Sequence, residues 1–458
     1  MTTHVPVSDS GLRRLGGVLI LGAVLSILDA TIVSVGIGVM ARDLDSSLPT
    51  VQWVASAYLL AASLTIPLSG WLADRFGGRQ VWIAAVGLFT LGTVLCGFAW
   101  SAPALIAFRV LHGLGGGLMQ PVGQAIFAQA AGPRLGRMIG VVTLPATVAP
   151  VLGPMLGGAL VQDLGWRWLF FGIVPFGVAT LLLAVRVLPR EEPAGMRDPL
   201  DVRGLLLLPP GLGALGYGLG EGSESFAVLG AVLLIAYALH ARRAQRPLLD
   251  LKLFTHKAFA VASASTFLLG ASLYSSMLLL PLYYQQIEHT SALAAGLLLA
   301  PQALGSAVVL IAGGKLLDRF GSRTVMLAGI GLSLVGTIAF TQLGDSPGPT
   351  LLTVSLLIRG LGLGATTTPG MTMLYTSLER SQIPRAASAI NVVNRIGGSL
   401  GTALLVAVLH AQPPGATAFG TTFTWALGLS LLSLVPAFSS RKEPAHDPAA
   451  LGCTRPPR

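Results

Sequence analysis

GWLADRFGGRQVWIAAVGL runs from Gly70 to Leu88, and GKLLDRFGSRTVMLAGIGL from Gly314 to Leu332. Eleven of the nineteen aligned residues are identical, at an offset of 244. A match of that length at that distance marks two related halves in one chain. Each copy sits after one apolar run and leads into another, so both read as loops between hydrophobic segments. Short loops with Gly let two helix ends come close, and Asp74 and Arg75 can pair across those ends and hold one conformer shut. A simple tight turn carrying basic charge would look the same in a single copy. Two copies at equivalent places favour a gate.

The composition says what those hydrophobic segments are. Of 458 residues, 53% are hydrophobic and 10% charged, against about 25% charged in an ordinary soluble domain. The mean hydropathy is +0.74. These figures exclude a soluble enzyme, a disordered chain and a disulfide scaffold. Gly 57 and Pro 29 come without a G-X-Y period, which excludes collagen. Cys96 and Cys453 form no metal-ligand cluster. A spanning helix needs about 20 apolar residues. Fourteen such runs lie near 15–39, 51–72, 80–99, 102–127, 138–161, 166–188, 203–219, 225–243, 257–284, 291–314, 323–343, 349–374, 384–410 and 419–438. Stretches such as AVLLIAYALH do not alternate as barrel strands do. The expected fold is an all-α polytopic membrane protein of 14 transmembrane helices. Residues 1–14 form an N-terminal segment, 15–190 a six-helix bundle, 199–245 two inserted helices, 255–438 a second six-helix bundle and 439–458 a tail.

Charge placement tests that count independently. Cytoplasmic loops carry the excess of Lys and Arg. With the N-terminus inside, 24 of the 29 basic residues fall in inside segments, two outside (Arg42, Arg167) and three within spans: Arg109, Arg359 and Arg395. The alternation predicts both termini in the cytoplasm of a cell-membrane protein. The net charge of +10 is spread over every second loop rather than gathered in a patch. It therefore points to topology and anionic lipid, not to nucleic acid.

The acids are more selective still. Eighteen of the 19 lie in loops, tails or span edges, and Asp29 alone lies deep in a span. It is about 21 Å into the first helix, at 1.5 Å per residue. An ionisable residue there costs about 2.5–3.5 kcal/mol to insert and is a functional candidate by default. A carboxyl at that depth can trade a proton for a cation. It can also be a structural Asp bonded to a neighbouring helix. Asn391 and Asn394 are one turn apart in span 13 and can touch cargo or tie helices together. Tyr58, His112 and Gln124 are further candidate cavity residues.

The repeated loop resembles the signature of the major facilitator superfamily, G-x-x-x-D-R-x-G-x-R/K. It reads Gly70, Asp74, Arg75, Gly77 and Arg79, then Gly314, Asp318, Arg319, Gly321 and Arg323. LDATIVSVGIGVM (Leu28–Met40) is similar to the first-helix signature of the fourteen-span drug:proton antiporters in that superfamily, with Ser34 where Asn is usual. Arg109, Gly113 and Gly115 match the fourth-helix pattern R-x-x-Q-G-x-G, with His112 in place of Gln. Gly153, Pro154, Gly157 and Gly158 match the G-P-x-x-G-G core that, in this family, marks exporters. The resemblance implies that Asp29 and Arg109 couple protons and that the glycine motifs gate. By the repeat, Arg359 takes a place roughly equivalent to Arg109.

No G-x-x-x-x-G-K-[ST], H-E-x-x-H or G-x-S-x-G occurs, so the chain reads as no enzyme and its energy source lies outside it. The expected function is proton-coupled export of lipophilic, monocationic drugs by alternating access, with resistance as its outcome. The expected partners are an organic cation or lipophilic drug, protons and the bilayer. A monomer without cofactor or metal is expected. Two alternatives stay open: an exporter of one endogenous metabolite or antibiotic, and a membrane scaffold or sensor that transports nothing.

Overall fold

A computed structural model describes residues 9–131, 153, 156–161, 163–189, 199–220, 223–244, 247–249, 251–290, 292–345, 347–376 and 382–434. The described residues form helices and no strand. The first half holds α1 (Asp9–Asp43), α2 (Leu48–Thr65), α3 (Ser69–Phe76), α4 (Gly78–Gly97), α5 (Ala102–Ala131), α6 (Trp168–Phe171) and α7 (Val174–Val187). Next come α8 (Val202–Gly220) and α9 (Glu224–Arg243). The second half holds α10 (Lys257–Gln286), α11 (Ala292–Leu298), α12 (Ala300–Phe320), α13 (Ser322–Thr341), α14 (Pro349–Thr376), α15 (Ile383–His410) and α16 (Ala416–Leu432).

Ten helices among the described residues are long and apolar enough to span a bilayer, and the bent pair α2–α3 makes an eleventh. The runs expected at 203–219 and 419–438 are the helices α8 and α16. The run at 138–161 lies mostly outside the described residues. Fourteen thus remains an expectation of hydropathy and charge. α8 passes through Pro209 and Pro210 without ending, as membrane helices can when neighbours satisfy the freed carbonyls.

Two sequence expectations need correction. The run 51–72 is not one straight helix: α2 and α3 meet at 53°. Pro67 lies at the break, where it supplies no N–H and its ring opposes the preceding turn. The duplicated segment is also not a loop. Gly70–Phe76 lies within α3 and Gly314–Phe320 within α12, and each copy leaves the helix at one glycine. Gly77 has φ 85° and Gly321 φ 75°, a left-handed backbone that favours glycine. In both copies that glycine N–H closes the helix, onto Ala73 O and Leu317 O, each at 2.9 Å.

The halves repeat in packing as well as in sequence. α5 is the centre of the first half, touched by α1, α2 and α4. α14 is the centre of the second, touched by α10, α12 and α13. Glycines let these backbones meet. A Cβ on Gly92 of α4 would lie 2.6 Å from the His112 Cα, and one on Gly336 of α13 would strike the Arg359 backbone N. The halves meet where α15 crosses α3 and α5. α8 bridges them a second time, resting on α2 and α15, with Trp53 stacked on Tyr217 at 5.7 Å.

Candidate functional site

Asp29 is fully buried on α1. Its Oδ2 accepts from Arg109 Nη1 of α5 at 2.6 Å. Arg109 is held on three other sides. Its Nε donates to the Val54 carbonyl of α2 at 2.9 Å. Its guanidinium lies 4.3 Å over the Tyr58 ring, a cation–π contact that fixes its plane. Its Nη1 also reaches His112 Nδ1 at 3.1 Å. Tyr58 is held in turn by its O–H, which donates to Ser26 O at 3.2 Å. Asp29 Oδ1 is buried and has no partner among the described residues.

His112 closes the arrangement. It stands one helical turn from Arg109 on the same face of α5, so a residue choice at 112 acts directly on the arginine. Its Nε2 lies 3.0 Å from Thr93 Oγ1 of α4, and Thr93 donates its own hydrogen to Phe89 O at 2.8 Å. With that hydrogen committed, Thr93 accepts from Nε2–H, and Nδ1 is left to accept from Arg109. The tautomer is thus assigned by its partners. Asp29 Oδ2 is 3.9 Å from His112 Nδ1.

The far end of α1, beyond its apolar span Ser10–Val33, is anchored separately. Asp43 Oδ2 accepts from Trp166 Nε1 at 2.7 Å and from Arg167 Nη1 at 2.6 Å. The indole bond first, and then the guanidinium, hold the Asp43 carboxyl below the usual carboxylate value. Gly153 and Gly157 of the 153–158 motif face α1 just beyond Asp29. A Cβ on Gly153 would strike Thr31, and one on Gly157 would sit 2.8 Å from Ile32 Cγ1. Gly158 has nothing within 4 Å. Pro154 lies outside the described residues.

The candidate gating residues divide differently from expectation. Asp74 does pair across helix ends, but with Arg385 of α15 at 2.7 Å, not with Arg75. Arg75 instead lies over the rings of Trp71 and Phe76 at 5.3 and 5.8 Å. The Asp74 pair therefore joins the two halves. Gly70 permits it, since a Cβ there would sit 3.1 Å from the Arg385 Cα. Ser388 adds a bond to Ile66 O at 2.8 Å. Arg79 caps the end of α7, donating to Val185 O at 2.8 Å and Leu188 O at 3.1 Å. Asp318 and Arg319 occupy the last turn of α12, with Arg319 over the Phe320 ring at 5.4 Å.

The remaining candidates are spread along α15. Asn391 Nδ2 donates to Gln124 Oε1 at 2.9 Å, across the halves. Asn394 Nδ2 donates to Thr266 O at 3.2 Å, within the second half. Arg395 donates to Ser63 Oγ at 3.3 Å. Both asparagines are thus committed to helix–helix bonds in this arrangement. Thr93, Val54 O and Arg385 were not readable as site partners. A threonine or a backbone carbonyl has no hydropathy signal, and Arg385 counts in the sequence only as one more inside charge.

Two halves related in sequence and in packing, with a charged pair buried among the helices of the first, define a class of multi-pass membrane proteins. The family model for the Major Facilitator Superfamily matches residues 19–402 and again 262–450. The chain is 36% identical over 457 residues to the multidrug resistance protein B homolog of Mycobacterium tuberculosis (strain ATCC 25618 / H37Rv), covering 97% of this chain and 83% of that one. It is 31% identical to the multidrug export protein EmrB of Haemophilus influenzae, over 87% of this chain and 81% of that one. Among solved structures, the human organic anion transporter MFSD10 (TETRAN) superposes with a TM-score of 0.66 at 19% identity, covering 93% of this chain and 99% of that one. The proton:xylose symporter XylE gives 0.65 at 14% identity, over 93% and 95%. At such identities the structures speak for the fold alone. The chain belongs to the Major Facilitator Superfamily.

Proposed function

We propose that this chain exports lipophilic, monocationic drugs in exchange for protons, by rocking its two halves around Asp29. The observation that carries the reading is the buried Asp29–Arg109 pair, with Asp29 Oδ1 unpartnered among the described residues. A proton on Asp29 removes the charge that attracts Arg109. Arg109 then keeps its bonds to Val54 O and His112 Nδ1, so it is not orphaned. A cationic drug competes with the proton for the same carboxylate, which makes the two mutually exclusive. The names of the multidrug relatives support drugs as the cargo class.

The proposed topology puts the duplicated segments in the cytoplasm. Asp74–Arg385, Ser388–Ile66 and Asn391–Gln124 then close the cytoplasmic side. Opening it breaks these bonds and gives the drug access from inside. One proton exchanged for one monocation moves no net charge, so the pH difference alone drives the cycle. An electrical potential, at about 2.3 kcal/mol per charge per 100 mV, adds nothing to it.

The test is ethidium exchange in proteoliposomes under a pH jump. Asp29→Asn is expected to express normally and to lose pH-driven exchange. Ethidium movement by Asp29→Asn at the wild-type rate under the same jump would overturn the reading.

A further inference from the structure

The second half holds a buried cation that proton exchange at Asp29 does not use. Arg359 on α14 is 2% exposed. Its Nη1 donates to Gln302 Oε1 of α12 at 2.9 Å, and its Nη2 donates to Ser276 Oγ of α10. Its Nε has no partner among the described residues. Neither does the buried Oγ of the adjoining Ser275. Every named partner of Arg359 is neutral.

The packing shows what position this is, and it corrects the sequence expectation. Arg359 does not stand where Arg109 stands. His112-Gly113-Leu114-Gly115 aligns with Arg359-Gly360-Leu361-Gly362, and the contacts agree. Gly92 meets the His112 backbone as Gly336 meets that of Arg359; Gly113 meets Tyr58 O as Gly360 meets Gln302 O. Arg359 thus replaces a neutral imidazole with a fixed charge. In the first half that position faces Asp29; here it faces an amide and a hydroxyl.

The spans as a whole are short of negative charge. Asp29 answers Arg109, while Arg359 and Arg395 have no acidic partner among the described residues. An uncompensated guanidinium in a low-dielectric interior is costly, and a bound counter-anion relieves that cost. We infer that Arg359, with Gln302 and Ser276, is an anion-binding subsite for a monovalent anion: the carboxylate of an amphiphilic cargo, or chloride. This deepens the proposed transport function by adding an anionic group to what the protein binds. A zwitterionic drug satisfies both halves with one molecule, and its exchange for a proton moves one net charge. With a pure cation the halide stays bound at Arg359 and is not carried, so that exchange remains electroneutral.

The test is equilibrium binding to the purified full chain, without a proton gradient, so that failure of proton coupling and failure of the anion site read separately. The probes are rhodamine B, which carries a carboxylate, and its ethyl ester, which does not, each titrated in sulfate buffer and again with chloride added at constant ionic strength. If the anion is a cargo carboxylate, Arg359→Gln weakens rhodamine B by about tenfold or more and leaves the ester unchanged, as expected for losing a bond to a charged donor. If it is chloride, added chloride tightens the ester in the wild type and not in Arg359→Gln. Arg359→Lys keeps the charge and is expected to retain either behaviour in part. Equal binding of both dyes by wild type and Arg359→Gln, with no effect of chloride, overturns the inference. Should Arg359→Gln not be recovered folded, the wild type decides: rhodamine B no tighter than its ester, and chloride without effect on either, overturns it.

Discussion

His112 has one hydrogen to place in its neutral form, and its neighbours leave one choice. Thr93 takes Nε2–H and Arg109 fills Nδ1. A second hydrogen on Nδ1 would point at the Arg109 N–H, donor against donor, and break the link to the ion pair. Position 112 therefore needs a side chain that accepts at one end and donates at the other. Glutamine, the residue usual in the resembling pattern, also does both. His112→Gln is expected to stay within about 1 kcal/mol of the wild type. His112→Leu leaves an Arg109 N–H buried without an acceptor and is expected to cost about 1–3 kcal/mol. Unfolding in detergent measures both; equal midpoints for Leu and Gln would show that the imidazole is packing material only. Asp29 was legible in the sequence because a lone acid in an apolar run has no ordinary explanation. The service of His112 to Arg109 was not read from the sequence, although residues three apart share a helix face. Nor was Thr93, because nothing in the sequence brings it to His112.

Among the elements, α3 and the start of α15 carry the contact between halves. Asp74 and Arg385 are 311 residues apart, yet both are largely buried, with side chains 7% and 21% exposed. A pair so shielded is worth more than a surface ion pair. Losing it is expected to shift the closed conformer by about 1–2 kcal/mol, a factor of roughly 5–30 in population. Asp74→Asn should raise the labelling of a reporter cysteine placed near the α3–α15 contact by such a factor. The charge exchange Asp74→Arg with Arg385→Asp should restore the wild-type labelling. If the exchange labels like the single variant, the pair does not hold the halves. Sequence reading found the motif and its acid but chose the adjacent Arg75 as partner. Adjacent residues on a helix project about 100° apart, and only the tertiary fold brings α15 alongside α3.

At the scale of the molecule, α8 is the element that touches both halves. A Cβ on Gly213 would lie 3.0 Å from Leu60 Cδ2 of α2, and one on Gly216 would lie 3.8 Å from Ser399 Oγ of α15. If the halves rock, α8 slides on at least one of them. Two cysteine pairs test this: Gly213→Cys with Leu60→Cys, and Gly216→Cys with Ser399→Cys. At least one cross-link is expected to stop drug exchange in proteoliposomes, reversibly on reduction. Unimpeded exchange with both cross-links formed would exclude rocking across α8.

By itself the sequence determined that the chain lives in a bilayer, that it is built of two related halves, and that Asp29 is its exceptional acid. Those are properties of composition and spacing, because insertion costs and helical periodicity act residue by residue and need no partner. Tertiary structure alone decided who meets whom. It set Asp29 against Arg109, Asp74 against Arg385, and Arg359 in the place of His112 rather than of Arg109. Distances between helices depend on where glycines let backbones touch, and that is fixed by the packing of distant segments. A buried charge is defined by its partner, and its partner lies on another helix.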